Sequence, residues 1–149
     1  MTHVSRRALL SVALVLPVAA ACTAEPKPPP PPDPLAALAE QARVDAAAAN
    51  AVAQDVPELA AVAGEVAKAR SAHALALQAE VDRERPPRGS ATAPPSTAAP
   101  APGTKATLVD ALRAAEQKAG ELVPTVPRYR AGLLGSVAAG CASLREVLA

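Results

Sequence analysis

The sequence predicts an all-α protein folded as a four-helix bundle. Alanine, the residue with the highest helix propensity, dominates the apolar composition, and Phe and Trp are absent. Apolar residues recur at spacings of three and four in four separate segments, which is the period of an amphipathic helix. Proline-rich stretches separate these segments and are typical of connections outside a packed core.

The chain begins with a predicted export signal at residues 1–21. Arg6 and Arg7 form its basic start, and a 14-residue apolar stretch, residues 8–21, follows. That stretch is shorter than the roughly 20 residues of a membrane-spanning helix. The residues Ser5-Arg6-Arg7-Ala8-Leu9-Leu10 resemble a twin-arginine export signal, which a receptor reads as an address.

Residues 18–22, Val-Ala-Ala-Ala-Cys, resemble a bacterial lipobox, which implies that Cys22 is acylated and becomes the mature N-terminus. The alternative is an ordinary secreted protein that is cleaved at the alanines. Residues 22–33 are proline-rich, and such a run favours stiff, extended polyproline II. We therefore predict an exported protein, lipid-anchored on the extracytoplasmic face of the cell membrane, with residues 22–33 as a tether.

The composition excludes some classes of partner. Without the signal, 13 basic residues face 14 acidic ones, so no basic surface for nucleic acid is expected. Tyr129 is the single aromatic residue, which argues against ligands bound by stacking. If Cys22 carries lipid, Cys141 is unpaired. It is then either a reactive thiol or a buried, inert one, and its place on an apolar stripe favours the second interpretation.

Residues 34–149 are predicted to fold as the bundle. The first helix starts at Pro34 after the N-cap Asp33 and ends near Gln54. Its predicted apolar stripe is Leu35, Leu38, Ala42, Ala49 and Val52, interrupted by Asp45. The second is predicted to follow an Asp55 cap with Glu58 in a capping box, and to end at about residue 84. Its predicted apolar stripe is Leu59, Val62, Val66, Ala69, His73 and Ala76. The short link makes these helices an αα-hairpin.

A second proline-rich stretch, residues 85–104, is predicted to be a disordered linker that spans the length of the bundle. The third helix then runs from Lys105 to about Val123, capped by Thr104, or by Thr107 with Asp110. The fourth is expected to use Thr125 as its cap. The predicted stripe of the fourth helix is Leu133, Val137, Cys141, Leu144 and Leu148.

The two hairpins are similar in sequence. A shift of 71 residues places Gly64 on Gly135 and Val66 on Val137. The chain resembles the ferritin-like domain of unknown function in alanine-rich, twin-arginine-exported bacterial lipoproteins. The residues that carry the resemblance are Asp33-Pro34-Leu35-Ala36-Ala37-Leu38, residues 72–77, and residues 133–139 with 146–148. That resemblance implies ferritin-like connectivity, two αα-hairpins joined by one long crossover.

The resemblance also implies where a metal site would lie, and the ligand set is incomplete there. Di-metal sites of this fold use Glu-x-x-His motifs on two helices, where this chain has Arg70 with His73, and Cys141 with Leu144. The remaining candidate ligands are Asp45, His73, Glu116 and Cys141. They could form a single zinc site. Alternatively, His73 is a buried polar partner of Asp45 or Glu116, or it lies at the edge of the bundle.

Three functions are consistent with these observations. The favoured one is a non-catalytic, lipid-anchored helical module of the bacterial cell envelope, with a degenerate metal site and no cofactor. The alternatives are a metal-binding ferritin-like protein, and a factor that binds or assembles an envelope protein partner or forms homo-oligomers. We do not expect an enzyme, because the sequence contains no Ser/His/Asp set, phosphate loop or C-x-x-C motif.

Overall fold

The computed structural model describes residues 30–86 and 103–149, which lie almost entirely within one compact unit, Pro32–Ala149. These residues form four α-helices and no strand: α1 (Pro34–Asp55), α2 (Ala60–Glu84), α3 (Lys105–Leu122) and α4 (Arg128–Leu148). The all-helical prediction is thereby confirmed. The export signal, Cys22 and residues 87–102 of the predicted linker lie outside the described residues.

The helices pack as two antiparallel hairpins, α1 with α2 and α3 with α4, and the hairpins contact each other through α1 with α3 and α2 with α4. At one end of the bundle, the starts of α1 and α4 meet the end of α2, where Arg130 contacts both Asp33 and Glu80. At the other end, Lys105 at the start of α3 donates to the carbonyl of Ala149. Gly103 lies so close to α1 there that a Cβ would overlap the Val52 side chain.

Two of the predicted helix starts are confirmed. Asp33 caps α1, and its Oδ1 accepts from the Leu35 N–H at 2.9 Å. Thr104 caps α3 in a reciprocal capping box with Thr107. Both caps therefore satisfy backbone donors that a helix start leaves unpaired.

The other two predicted caps are wrong. Asp55 is the last residue of α1, and a 3₁₀ turn, Pro57–Leu59, precedes α2 without any side-chain cap. Thr125 ends a second 3₁₀ turn, Val123–Thr125, and its hydroxyl donates back to the Leu122 carbonyl instead of capping α4. In both hairpins a proline-containing 3₁₀ turn connects the two helices, and the second helix begins without a capping side chain.

The predicted apolar stripe is correct for α1 and displaced for α2. All five apolar positions predicted for α1 are buried: Leu35, Leu38, Ala42, Ala49 and Val52. The buried face of α2 lies one residue later than predicted, so that Leu77 is buried and Ala76 is exposed. The charged side chains Arg70 and Glu80 belong to this buried face. They interrupt the helical spacing of its apolar residues, so the spacing is not evident in the sequence. On α4, Leu134 is buried, and the predicted Leu133 and Leu144 are half-buried.

Ion pairs stabilise the end of the bundle where α1 begins. The Arg130 guanidinium, 6% exposed, donates from Nη2 to Asp33 Oδ2 at 2.7 Å, and its Nε lies 3.5 Å from Glu80 Oε1. Burial alone would raise the pKa of Asp33, but the hydrogen bonds from Arg130 and from the Leu35 N–H outweigh it and hold the pKa below its ordinary value. Asp33 therefore caps α1 and also ties it to α4.

We predict that Asp33→Ala destabilises the bundle more than the loss of an ordinary cap. A lost cap costs about 1 kcal/mol, and loss of the shorter of the two Arg130 ion pairs adds to that cost, up to the roughly 3–5 kcal/mol of a buried ion without any partner, which Glu80 reduces. Asp33→Asn keeps the cap and should cost less than Asp33→Ala, and Thr104→Ala should cost only the cap. Urea unfolding of the three variants measures this order. Equal losses for Asp33→Ala and Thr104→Ala would contradict a structural role for the Arg130 pair.

Candidate functional site

A charged side chain occupies the middle of the bundle. Arg70 on α2 is 2% exposed, and it lies between Asp45 on α1 and Cys141 on α4. Its Nε and Nη2 both donate to Asp45 Oδ2, at 3.1 and 2.8 Å. Its Nη1 donates to His73 Nδ1 at 3.2 Å and to Cys141 Sγ at 3.5 Å. We call these four residues, Asp45, Arg70, His73 and Cys141, the Arg70 cluster.

The buried Asp45 carboxylate has its hydrogen-bonding capacity used within the chain. Oδ2 accepts the two bonds from Arg70, and Oδ1 accepts from Gln41 Nε2 at 2.8 Å. A buried ion pair is tolerated when further hydrogen bonds satisfy the remaining lone pairs, as they do here. The carboxylate is therefore a partner of the guanidinium and offers little to any other cation.

The bond from Arg70 fixes the protonation of His73. Arginine can only donate, so His73 Nδ1 must accept, and the neutral ring carries its proton on Nε2. The half-buried ring lies over Gly140 on α4: a Cβ at residue 140 would be 2.9 Å from Nε2 and 3.0 Å from Cε1. Burial, and secondarily the charge of Arg70, lower the pKa of His73.

Cys141 is free and fully buried, as its position on the apolar stripe predicted. Burial raises the pKa of its thiol, and the neighbouring Arg70 charge only partly offsets this. Because the thiolate is the nucleophilic form, this cysteine has the character of a packed, weakly polar side chain.

Glu116, the remaining candidate ligand, is bound elsewhere. Its Oε2 lies 2.8 Å from Arg145 Nη2 on α4, in an orientation that forms no hydrogen bond. The sequence suggested Asp45 or Glu116 as the polar partner of His73. The structure instead gives Arg70 as the hydrogen-bond partner, with Asp45 one step further along the chain of contacts.

The residues do not fit the metal centre that a ferritin-like resemblance implies. Within residues 30–86 and 103–149, no group of three or more His, Cys, Asp or Glu side chains is arranged to hold a metal ion. Arg70 places a positive charge between the candidate ligands, His73 Nδ1 and Asp45 are both engaged by it, and Glu116 pairs with Arg145. A cation here would have to displace the guanidinium against its ion pair.

The sequence identified Cys141 and Arg70 as equivalent positions, and the structure brings them into contact. The two residues are separated by the same 71 residues that relate the two hairpins. Equivalent positions on α2 and α4 meet because these helices pack against each other across the bundle. The structural importance of Arg70 was missed. The available signal was its spacing of four residues from Val66 and from Ala74, both of which are buried.

The surface of the bundle carries two grooves and two exposed apolar side chains. An open groove of about 440 Å³ lies between the start of α1 and the end of α3, and a second, of about 390 Å³, lies between α1 and α2 beside Leu75. Leu75 and Val147 are 73% and 66% exposed. Among the described helices, α4 is long and apolar enough to cross a bilayer, a test that core helices of soluble proteins also pass.

Comparison with protein-family models, with curated proteins and with solved structures finds no match to this chain. The ferritin-like resemblance therefore remains a prediction from the sequence, and the chemistry of the site rests on the geometry of the Arg70 cluster.

We predict that Arg70→Ala costs about 3–5 kcal/mol of stability, because it leaves Asp45 buried without a counterion. Replacing both partners, in Arg70→Met with Asp45→Leu, removes both charges and should restore most of the loss. Arg113→Ala is the matched control, because Arg113 forms an exposed pair with Asp110 that should be worth less than about 1 kcal/mol. Urea unfolding measures all of these. Similar losses in Arg70→Ala and Arg113→Ala would show that the central pair contributes little.

We also predict opposite effects for two glycines of α4. Gly140→Ala would push a methyl group against the His73 ring, at a cost of about 1–3 kcal/mol. Gly135→Ala enters open space, so better helix propensity should stabilise the protein by up to about 1 kcal/mol. Adding His73→Ala should make Gly140→Ala neutral or stabilising. Thermal unfolding of these chains measures the difference, and a stabilised Gly140→Ala single variant would contradict the contact.

Proposed function

We propose that this chain is a non-catalytic, lipid-anchored helical module of the bacterial cell envelope, with ferritin-like connectivity and a degenerate metal site. The observation that carries the proposal is the Arg70–Asp45 pair at the centre of the bundle. In a ferritin-like protein this position would hold the ligands of the metal site. Here a protein cation takes the place of the metal, so the interior has a structural role.

The directions of the helices support ferritin-like connectivity. The second helix ends beside the starts of α1 and α4, where Tyr129 hydrogen-bonds Glu84. The third begins at the opposite end, beside the ends of α1 and α4. The chain between residues 86 and 103 must therefore join opposite ends of the bundle. Its 16 intervening residues reach roughly 50 Å when extended, and α1 is about 33 Å long.

Anchoring through Cys22 is proposed from the sequence, since that residue lies outside the described part of the chain. The first described residues agree with a tether that ends at the bundle. Asp33 is buried, caps α1 and binds Arg130, so the chain is fixed to the bundle from this residue onward. We propose that the residues between Cys22 and Asp33 connect this fixed point to whatever Cys22 carries.

A partner-binding or assembly role is the second candidate. Val147 on α4 and Leu75 on α2 are large apolar residues that stay mostly exposed in the bundle. Single exposed apolar residues are common on soluble proteins, so this observation favours the second candidate only weakly. The central Arg70–Asp45 pair supports the structural interior of the first candidate, and the lipid anchoring of that candidate is proposed from the sequence.

Intact mass spectrometry and elemental analysis of the full-length protein, isolated from bacterial membranes, test the proposal. We expect a chain that begins at Cys22 with the added mass of acyl chains, together with less than a stoichiometric amount of Fe, Mn or Zn. The control is the Cys22→Ala variant, which cannot be acylated at residue 22. We expect this variant either to be absent from the membrane fraction or to retain its uncleaved export signal, residues 1–21. A soluble product cleaved at the alanines would overturn the anchoring. A full equivalent of metal that is lost in His73→Ala would overturn the structural role of the interior.

A further inference from the structure

The hydrogen bond from Arg70 to His73 exists only while His73 is neutral. The Arg70 guanidinium has donors and no acceptor, and its Nη1 lies 3.2 Å from His73 Nδ1. A proton on Nδ1 would set two N–H donors against each other at that distance. It would also place a second positive charge, on a half-buried ring, beside the buried Arg70 guanidinium.

No free carboxylate near the ring, among the described helices, could neutralise that second charge. On α1, Asp45 is already bound by Arg70 and Gln41. On α3, Glu116 is paired with Arg145 of α4. The other groups that α4 presents near this site are the buried thiol of Cys141 and the backbone of Gly140. Each neighbouring helix therefore supplies a group that is neutral or already paired.

The position of the ring decides which helices respond. The His73 ring lies between Arg70 on its own helix and Gly140 on α4, and a Cβ at Gly140 would already be 2.9 Å from Nε2. A protonated ring that turns away from Arg70 must therefore press on α4 or leave the interface. Alternatively Arg70 moves and gives up its bond to Cys141. Either movement loosens the contact between α2 and α4.

We propose that His73 is an acid-sensitive lock between α2 and α4, closed while its ring is neutral and opened by protonation. Other histidine switches work in the same way: protonation of the ring shifts the equilibrium between a closed and an open form of a packed contact. The lock lies in the bundle itself and does not depend on lipid anchoring or on any partner. It makes the stability of this contact a function of pH near the ordinary pKa of histidine.

The direction of the effect follows from proton linkage. The pKa of His73 is lowered in the folded chain, so the unfolded chain binds the proton more readily. The stabilisation is complete above the ordinary histidine pKa of about 6.5. It decreases as the pH falls from there through the lowered pKa of the folded state. Within that window one proton can change the folding equilibrium constant by up to about tenfold for each pH unit.

The test uses the full chain with His3→Gln, in which His73 is the sole histidine. Imidazole ¹⁵N NMR reports the tautomer and the titration of the ring. Urea unfolding and amide hydrogen exchange between about pH 7.5 and 5, which brackets the ordinary histidine pKa, report the stability of the contact. The comparison chain adds His73→Gln, whose amide oxygen can accept the Arg70 bond but does not titrate in this range. Carboxylates titrate in both chains, so the difference between the chains isolates His73.

We expect the Nε2–H tautomer at neutral pH and a pKa below that of a free histidine. We also expect a loss of stability in acid that is larger in the chain with His73 than in the His73→Gln variant. Exchange of amides in α2 and α4 should accelerate in acid only when His73 is present. A proton on Nδ1 at neutral pH, a pKa at or above the ordinary value, or the same pH dependence in both chains would overturn the lock. If the His73→Gln variant does not fold, the tautomer and the pKa of His73 in the chain with His3→Gln alone still decide whether the lock exists.

Discussion

A guanidinium buried among alanine and leucine side chains constrains this bundle more than any apolar contact does. Removing a charge from water costs several kcal/mol, and only a well-placed partner offsets that cost. The ion pair with Asp45 on α1 offsets this desolvation cost for Arg70, and its guanidinium also contacts His73 and, on α4, Cys141. An apolar residue could slide along its neighbours at small cost, whereas Arg70 requires one register of α1 and α4 against α2 at the same time.

The need for such a constraint follows from the composition. Most of the core side chains are Ala, Val and Leu, and alanine buries little apolar surface per residue. Alanine-rich helical faces also specify the packing register of two helices weakly, because a shift that replaces one alanine by the next changes the packing little. The second buried cluster, Arg130 with Asp33 and Glu80, fixes the end of the bundle as Arg70 fixes its middle. Two ionic clusters thus supply the specificity that large aromatic side chains supply in other cores.

The sequence predicted the helices well because each helix carries a local signal. The α1 stripe, the Asp33 cap and the α2 terminus all depend on residues that are neighbours in the chain. The buried face of α2 was displaced by one residue because Arg70 and Glu80 are charged, and a charge is ordinarily taken as exposed. Their burial depends on partners such as Asp45 and Arg130, which are distant in sequence. The four-residue spacing from Val66 and Ala74 is compatible with burial at position 70, but the distant partners that make burial of a charge favourable cannot be inferred from neighbouring residues.

The candidate site was predicted in part of its membership and not in its chemistry, since Glu116 pairs with Arg145 elsewhere and Arg70 is the residue at the centre. Asp45, His73 and Cys141 do come together, but as partners of a guanidinium in place of ligands around a metal ion. A carboxylate and an imidazole nitrogen are suitable both as ligands of a metal cation and as acceptors for an arginine, whereas a thiol is a weak acceptor and binds a metal as the thiolate. Here the residue at position 70 is an arginine and all three side chains contact it, while no group of three or more such residues among the described helices is arranged to hold a metal ion. With arginine there, the cation is covalently part of α2, needs no uptake from solution, and cannot be removed by a chelator. The interior then becomes sensitive to protons, through His73, where a metal-filled bundle would be sensitive to metal supply.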